Sequence, residues 1–248
     1  MSLEASITDL VNESRSLVNT FKGKKVEIDA AAQAAVASAS NLFKTIWLNE
    51  LNGDDANTGL SREDALKTLG KAIEMCSTNV TLTIMCVGDV TMTREYYYCP
   101  PRSYIKLVSA EPKTDGSQYT LKVSLAQSAD GWVVSSFATS EAEINVAIYK
   151  FKIDLPANPS ALPIMRDFLV YTWNDGVINR RVNLSNCNII AAGRVGNILR
   201  ERRIGTTELY LSSCTYVTSD MAGRWIKGVA AGTNPNTFVD VFTNLNTL

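Results

Sequence analysis

Cleaving a glycosidic bond takes two carboxyl groups on either side of it, about 5 to 10 Å apart according to whether configuration is retained or inverted. The carboxylates of this sequence that fall on or between its later strands are Asp154, Asp167, Asp175, Glu201 and Glu208. No spacing selects a pair among them, since the chain carries 25 acidic residues in all. An eliminating variant of the chemistry would use a basic side chain, and Arg180, Arg181, Arg194, Arg200, Arg202 and Arg203 form a basic cluster. The plainer reading of that cluster is contact with an acidic partner surface, or ion pairs between subunits. Histidine is absent, which removes Ser-His-Asp and Cys-His catalysis and histidine-ligated metals. Five cysteines, Cys76, Cys86, Cys99, Cys187 and Cys214, are odd in number, irregular in separation and without a C-x-x-C pair. They suit neither a disulfide framework nor a zinc site and read as reduced, buried thiols. Tyr96, Tyr97 and Tyr98 form a conspicuous aromatic run, but alternation along a strand puts Tyr97 on the face opposite Tyr96 and Tyr98. Trp132, Trp173 and Trp225 are scattered singly. No catalytic, cofactor-binding or metal-ligating residue is assigned, and no cofactor is expected.

The elements that would position any such chemistry begin with the stretch from Thr45 to Cys76. A short apolar strand, Thr45 to Leu48, leads into the loop Asn52, Gly53, Asp54, Asp55, Ala56, Asn57, Thr58, Gly59. Gly and Asn tolerate left-handed backbone, and Asp and Asn side chains bond to their own loop amides. Three loop side chains of this kind also raise a calcium site, although the spaced ligands and closing Glu of an EF-hand are missing. Ser61, three residues before Asp64, is placed to cap a helix. Ala65, Leu66, Leu69, Ala72, Ile73 and Cys76 then recur at spacings of three and four, which predicts a helix from Ser61 to Cys76 covering an apolar surface.

Residues 3 to 44 read as helix with a seven-residue repeat. Ile7, Ser14, Phe21, Ile28, Ala35 and Leu42 fall at a; Leu10, Leu17, Lys24, Ala31 and Ser38 fall at d. The apolar members, Ile7, Leu10, Leu17, Phe21, Ile28, Ala31, Ala35 and Leu42, are the expected subunit interface. The seam is thin, because Ser14, Lys24 and Ser38 interrupt it and the run Ala30 to Ala39 is small-sided. At about 25 cal/mol per Å² of apolar surface, alanine contributes far less than leucine, so this coil would be marginal alone.

From Val80 onward the texture is of short strands separated by turn residues. They are read at Val80 to Val87, Tyr104 to Ser109, Tyr119 to Leu125, Gly131 to Phe137, Ile144 to Ile153, Phe168 to Trp173, Val182 to Ile190, Glu208 to Val217 and Phe238 to Phe242. Such a series means a sandwich, a barrel or a solenoid. Leu184, Ser185 and Cys187 recur as Leu211, Ser212 and Cys214 at a spacing of 27 residues, which favours stacked coils with like residue over like. The prolines at 156, 159 and 163 make Leu155 to Pro163 a connection, and Gly193 to Thr206 is a second long excursion. Four to six coils are expected.

The chain's 248 residues, with 24 basic and 25 acidic side chains, have a formal charge of −1. That balance gives no electrostatic case for nucleic acid. No segment is long and apolar enough to span a bilayer, and the N-terminus lacks the apolar run of a signal peptide. Synthesis and retention in a cytoplasm are expected.

Residues 52 to 61, with Ala65, Thr68 and Ala72 to Ile73, resemble the loop and capping helix that enter the parallel β-helix of bacteriophage tail fibres, tailspikes and related pectin-lyase-like proteins. Lys24, Lys25, Val26, Ile28, Asp29, Ala30 and Ala31 are similar to the N-terminal segment by which such fibres trimerise and attach to the virion. The resemblance covers roughly residues 1 to 90. It implies a mainly β fold: a short right-handed parallel β-helix with an N-terminal coiled-coil segment and a capping helix, assembled as a homotrimer. It divides the chain into an attachment segment at 1–44, a strand-loop-helix cap at 45–79 and a β-helix body at 80–248 with an irregular end from Gly228. It implies a structural virion component, made in the host cytoplasm and located in the tail. Its partners would be other phage tail or baseplate proteins and host surface glycan, with no nucleic acid and no membrane insertion. The alternative from the same resemblance is a tailspike depolymerase, which generally needs a longer barrel. A cellular β-helix adhesin is a third reading, disfavoured by the lack of a secretion signal.

Overall fold

The computed structural model describes residues 2–40, 42–140, 143–158, 160–173, 179–200 and 205–248, with the side chains of 34–40 left aside. It divides into two units, Met1–Leu42 and Phe43–Leu248. The first is a single helix, α1 (Leu3–Ser40). The Ser2 hydroxyl accepts the Ala5 amide at 3.3 Å, and Glu4 lies in the first turn near the positive end of the helix dipole. No helix among the described residues is long and apolar enough to cross a membrane.

The second unit is mainly β with parallel sheets. One sheet has seven strands, in order Phe43–Leu48 (β1), Thr81–Cys86, Tyr104–Ser109, Glu143–Tyr149, Asn179–Ser185, Thr207–Ser212 and Val241–Thr243. A second holds Val90–Met92, Thr120–Val123, Lys152–Asp154, Asn188–Ile190 and Thr215–Tyr216, and a third holds Tyr96–Tyr98, Ser136–Thr139, Phe168–Thr172 and Asn197–Leu199. The order within each sheet is the chain order. Each pass of the chain therefore lays one strand on the equivalent strand of the pass before. A smaller sheet of Leu125–Ser128, Gly131–Val134 and Ile164–Arg166 contains the antiparallel pair, Leu125–Ser128 with Gly131–Val134. Alternate residues of the long strands point into one core, as with Leu82, Ile84 and Cys86 over Ile105 and Leu107, then Val146 and Ile148, then Val182 and Leu184.

The 27-residue spacing is the observed register, with Leu184 on Leu211 and Ser185 on Ser212. Gly131 to Phe137, which reads as one strand, is two, and three more such runs are broken at Lys150, Asn186 and Ser213. These residues adopt φ of 63°, 51° and 53°, a left-handed corner that turns the chain from the first sheet to the second. Asn197–Leu199 lies inside what reads as an excursion, and β1 begins at Phe43, two residues before the expected start.

The expected helix from Ser61 to Cys76 is shorter than its periodicity implies. Only Leu69–Glu74 (α2) is helical, and its cap is Thr68, whose hydroxyl accepts the Lys71 amide at 3.2 Å. Residues 58–66 lie alongside β1 instead. Trp47 donates to the Gly59 carbonyl at 2.7 Å and accepts from Leu66 at 2.9 Å, while Asn49 donates to Leu66 at 2.8 Å. Ser61 Oγ accepts the Asp64 amide at 3.2 Å in a turn of its own. Thr68→Ala should therefore cost about 0.5–2 kcal/mol, the usual loss for a helix cap. Ser61→Ala, at a turn on the surface, should change stability by about 0.5 kcal/mol or less. Urea unfolding of the two variants measures the difference, and a larger loss at Ser61 would restore the longer helix.

Candidate functional site

The expected interface residues other than Leu42 lie on α1, and those whose side chains are described are exposed. Ile7, Leu10, Leu17, Phe21 and Ile28 are 53–66% exposed, and Leu42 is 44% exposed. Ala31 is exposed, while the side chain of Ala35 falls outside the described residues. Val11 and Val18, at position e of the same two heptads, are also exposed. The sequence signal for them was the same heptad count, carried one position further. They widen the exposed apolar stripe over the first half of the helix. Lys24, a polar break in the seam, is tied to Glu27 at 2.7 Å.

The candidate carboxylates of the body are held by cations of the same chain. Arg194 Nε bonds Asp154 at 3.1 Å; Arg181 grips Glu208 through two bonds of 2.7 and 3.1 Å. Asp167 accepts from Asn197 Nδ2 at 3.1 Å and pairs with Lys227 at 2.7 Å. Asp175, Glu201, Arg202 and Arg203 lie outside the described residues. The basic cluster is thus taken up largely within the chain. Arg180 is buried, its guanidinium donating to the Arg200 carbonyl and the Thr207 hydroxyl, both at 3.1 Å.

Tyr97 points into the core and Tyr96 and Tyr98 away from it, as alternation requires. On the outward face, Tyr96 meets Trp173 with ring centroids 4.3 Å apart, Tyr171 meets Trp173 at 5.2 Å and Phe168 meets Tyr171 at 5.1 Å. Arg166 lies 4.6 Å over Tyr96, and Arg200 lies 5.0 Å over Tyr171. Trp173 is therefore part of a cluster and not the isolated residue its sequence position implies. Trp173 stays partly exposed at the edge of the cluster, and Tyr98, two residues after Tyr96, is exposed as well.

A cleft of about 550 Å³ is lined by Asn49, Glu50, Arg62, Asp89, Glu111 and Tyr119. Glu50 has its pKa raised by burial and by the charge of Asp89, against the hydrogen bond of 2.8 Å it accepts from the Thr91 amide. Asp89 is engaged by Lys113 at 3.1 Å and by the Thr120 amide at 2.7 Å, and Arg62 is paired with Glu111. Nothing in the sequence distinguishes Glu50, because its burial comes from the pass that follows. In the adjoining loop Asp55 accepts from the Lys67 and Thr68 amides and the Thr68 hydroxyl at 2.8–3.0 Å. Asp54 accepts from the Ala56 amide at 2.9 Å. These carboxylates brace the loop. Among the described residues no group of three or more His, Cys, Asp or Glu is placed to hold a metal ion.

Comparison with family models, with curated proteins and with solved structures found no match.

Proposed function

We propose that the chain is a structural virion component of a bacteriophage or prophage, a homotrimeric tail-fibre or tailspike protein. Residues 1–44 attach it to other tail or baseplate proteins. Its body is a short right-handed parallel β-helix that serves for host contact or for docking of another fibre. It is made in the host cytoplasm and carried in the virion tail.

The observation that carries this reading is the uncovered heptad seam of α1, in one chain with a body of consecutively stacked parallel strands. A helix whose Ile, Leu and Phe side chains face water has little to stabilise it alone, and three copies about a closed rotation axis would cover the seam. The exposed aromatic edge at Tyr98 and Trp173 suits contact with a host glycan. The structural reading is favoured over the depolymerase alternative by the ion pairs that occupy Asp154, Asp167 and Glu208.

Light scattering at micromolar concentration should give close to three times the 27.1 kDa chain mass. A mass of one chain at every concentration would overturn the proposal. A chain beginning at Phe43 should keep its β content and fail to enter virions. Incubation with host capsule and lipopolysaccharide should release no new reducing ends and no unsaturated uronate, and release of either would favour the depolymerase.

A further inference from the structure

The irregular cysteine spacing that argues against a disulfide framework conceals one pair that the passes bring together. Cys187 and Cys214 each follow a left-handed corner residue, Asn186 or Ser213, at the step from the first sheet to the second. The flanking residues are in register, Ser185 on Ser212 and Asn188 on Thr215. Cys187 Sγ donates to the Ile148 carbonyl at 3.3 Å, and Cys214 Sγ donates to the Leu184 carbonyl at 3.2 Å. Ile148 and Leu184 are themselves register partners. The two thiols thus occupy the same place one pass apart, above Phe151, which follows the corner of the preceding pass. Neighbouring strands lie about 4.8 Å apart, inside the Cα separation of roughly 4.4–6.8 Å that a disulfide spans.

The other thiols differ. Cys86 and Cys99 are fully enclosed and burial pushes them up, so they stay protonated. The neighbouring Cys214 thiol, with burial, pushes the Cys187 thiol up and keeps it protonated. The neighbouring Cys187 in turn lowers Cys214 to about 6, and Cys214 is the partly exposed member of the pair.

We infer that Cys187 and Cys214 form a site of covalent thiol modification, which closes to a disulfide by exchange with a low-molecular-weight disulfide. The Cys214 thiolate attacks one sulfur of the reagent, forming a mixed disulfide and expelling one thiolate, which takes up a proton. Cys187 then gives up its proton, and its sulfur attacks Sγ of Cys214 and expels the second small thiol. The protein is oxidised by two electrons and loses two hydrogens, and the reagent is reduced to two thiols. In a reducing cytoplasm the pair stays open, and it closes where glutathione no longer keeps thiols reduced. The bridge would tie two consecutive passes near the C-terminal end of the body. The inference does not rest on the proposed function, since a monomer carries the same pair.

The test uses the full folded chain and excess oxidised glutathione at neutral pH. A tryptic map without reductant should show residues 182–194 linked to residues 204–224, with the intact chain lighter by two hydrogens and carrying no glutathione. Cys187→Ser should retain glutathione on Cys214. Cys214→Ser should react at least roughly tenfold more slowly, since Cys187 alone is a buried thiol. Glutathione left on Cys214 of the unsubstituted chain would overturn the inference. So would links to Cys76, Cys86 or Cys99, or an equal yield of the 187–214 link from the urea-unfolded chain.

Discussion

Tyr97→Ala should lower the stability of the body by about 3–5 kcal/mol, the range for deleting a large buried ring. The side chain is buried in the main core, 6.2 Å from the Phe137 ring between centroids, and its register partner is Phe137. Its hydroxyl also accepts the Thr93 amide at 3.0 Å and the Arg94 amide at 3.4 Å, the tight step that brings the chain into Tyr96–Tyr98. Removing the ring leaves both a cavity and two unanswered donors. Tyr97→Phe removes the acceptor alone, and should cost about 1–3 kcal/mol. Tyr98→Ala, one residue on and outward, should cost about 1 kcal/mol or less, because only a hydroxyl contact of 3.2 Å to Ser140 is lost. Urea unfolding followed by circular dichroism measures all three. Equal losses at Tyr97 and Tyr98 would mean that the strand does not alternate between core and surface.

Those three tyrosines illustrate how far the sequence carries. Period-two alternation assigns their faces without any structure, and it locates most strands of the first sheet. Stacking is harder to read, because the passes differ in length. Leu82 to Ile105, Ile105 to Val146, Val146 to Val182 and Val182 to Leu209 are steps of 23, 41, 36 and 27 residues. Only the last step sets a run of like residues, Leu184, Ser185 and Cys187, at the spacing of Leu211, Ser212 and Cys214, so only there does a repeat surface. The aromatic cluster depends on the hidden steps, since Tyr96 and Trp173 meet through the strand Ser136–Thr139 that lies between theirs.

The corners are invisible for a different reason. Left-handed backbone is signalled by Gly and often by Asn, yet Lys150 and Ser213 occupy it here. A run such as Ile144 to Ile153 therefore reads as one strand. The helix misreading has the opposite cause. Ala65 and Leu66 do face the core at a spacing that a helix would give, but Gly53 allows the chain to lie flat against β1. A Cβ on Gly53 would stand 2.3 Å from the Leu66 carbonyl oxygen, closer than any side chain permits. Hydrogen bonds to β1 then outweigh helical periodicity as far as Leu66. Glu50 was not legible at all, because a carboxyl group's burial is a property of neighbouring passes and has no local pattern.

The proposed heptad seam makes the largest prediction. If the chain is the proposed trimer, the variant carrying both Leu10→Asp and Leu17→Asp should run as a single chain of 27.1 kDa and the unsubstituted protein at three times that mass. Each buried leucine contributes about 1.5–3 kcal/mol, so losing two from each of three chains removes on the order of 10 kcal/mol from assembly. Six carboxylates brought into one seam oppose association further. The body should unfold at the same urea concentration in both proteins, because the two leucines are 64% and 57% exposed in the isolated chain. Asn12→Asp, at position f on the far side of the helix, adds charge without touching the seam and should leave assembly intact. Two results would each reject the seam as the interface: a trimer that survives both aspartates, or one that Asn12→Asp breaks as completely.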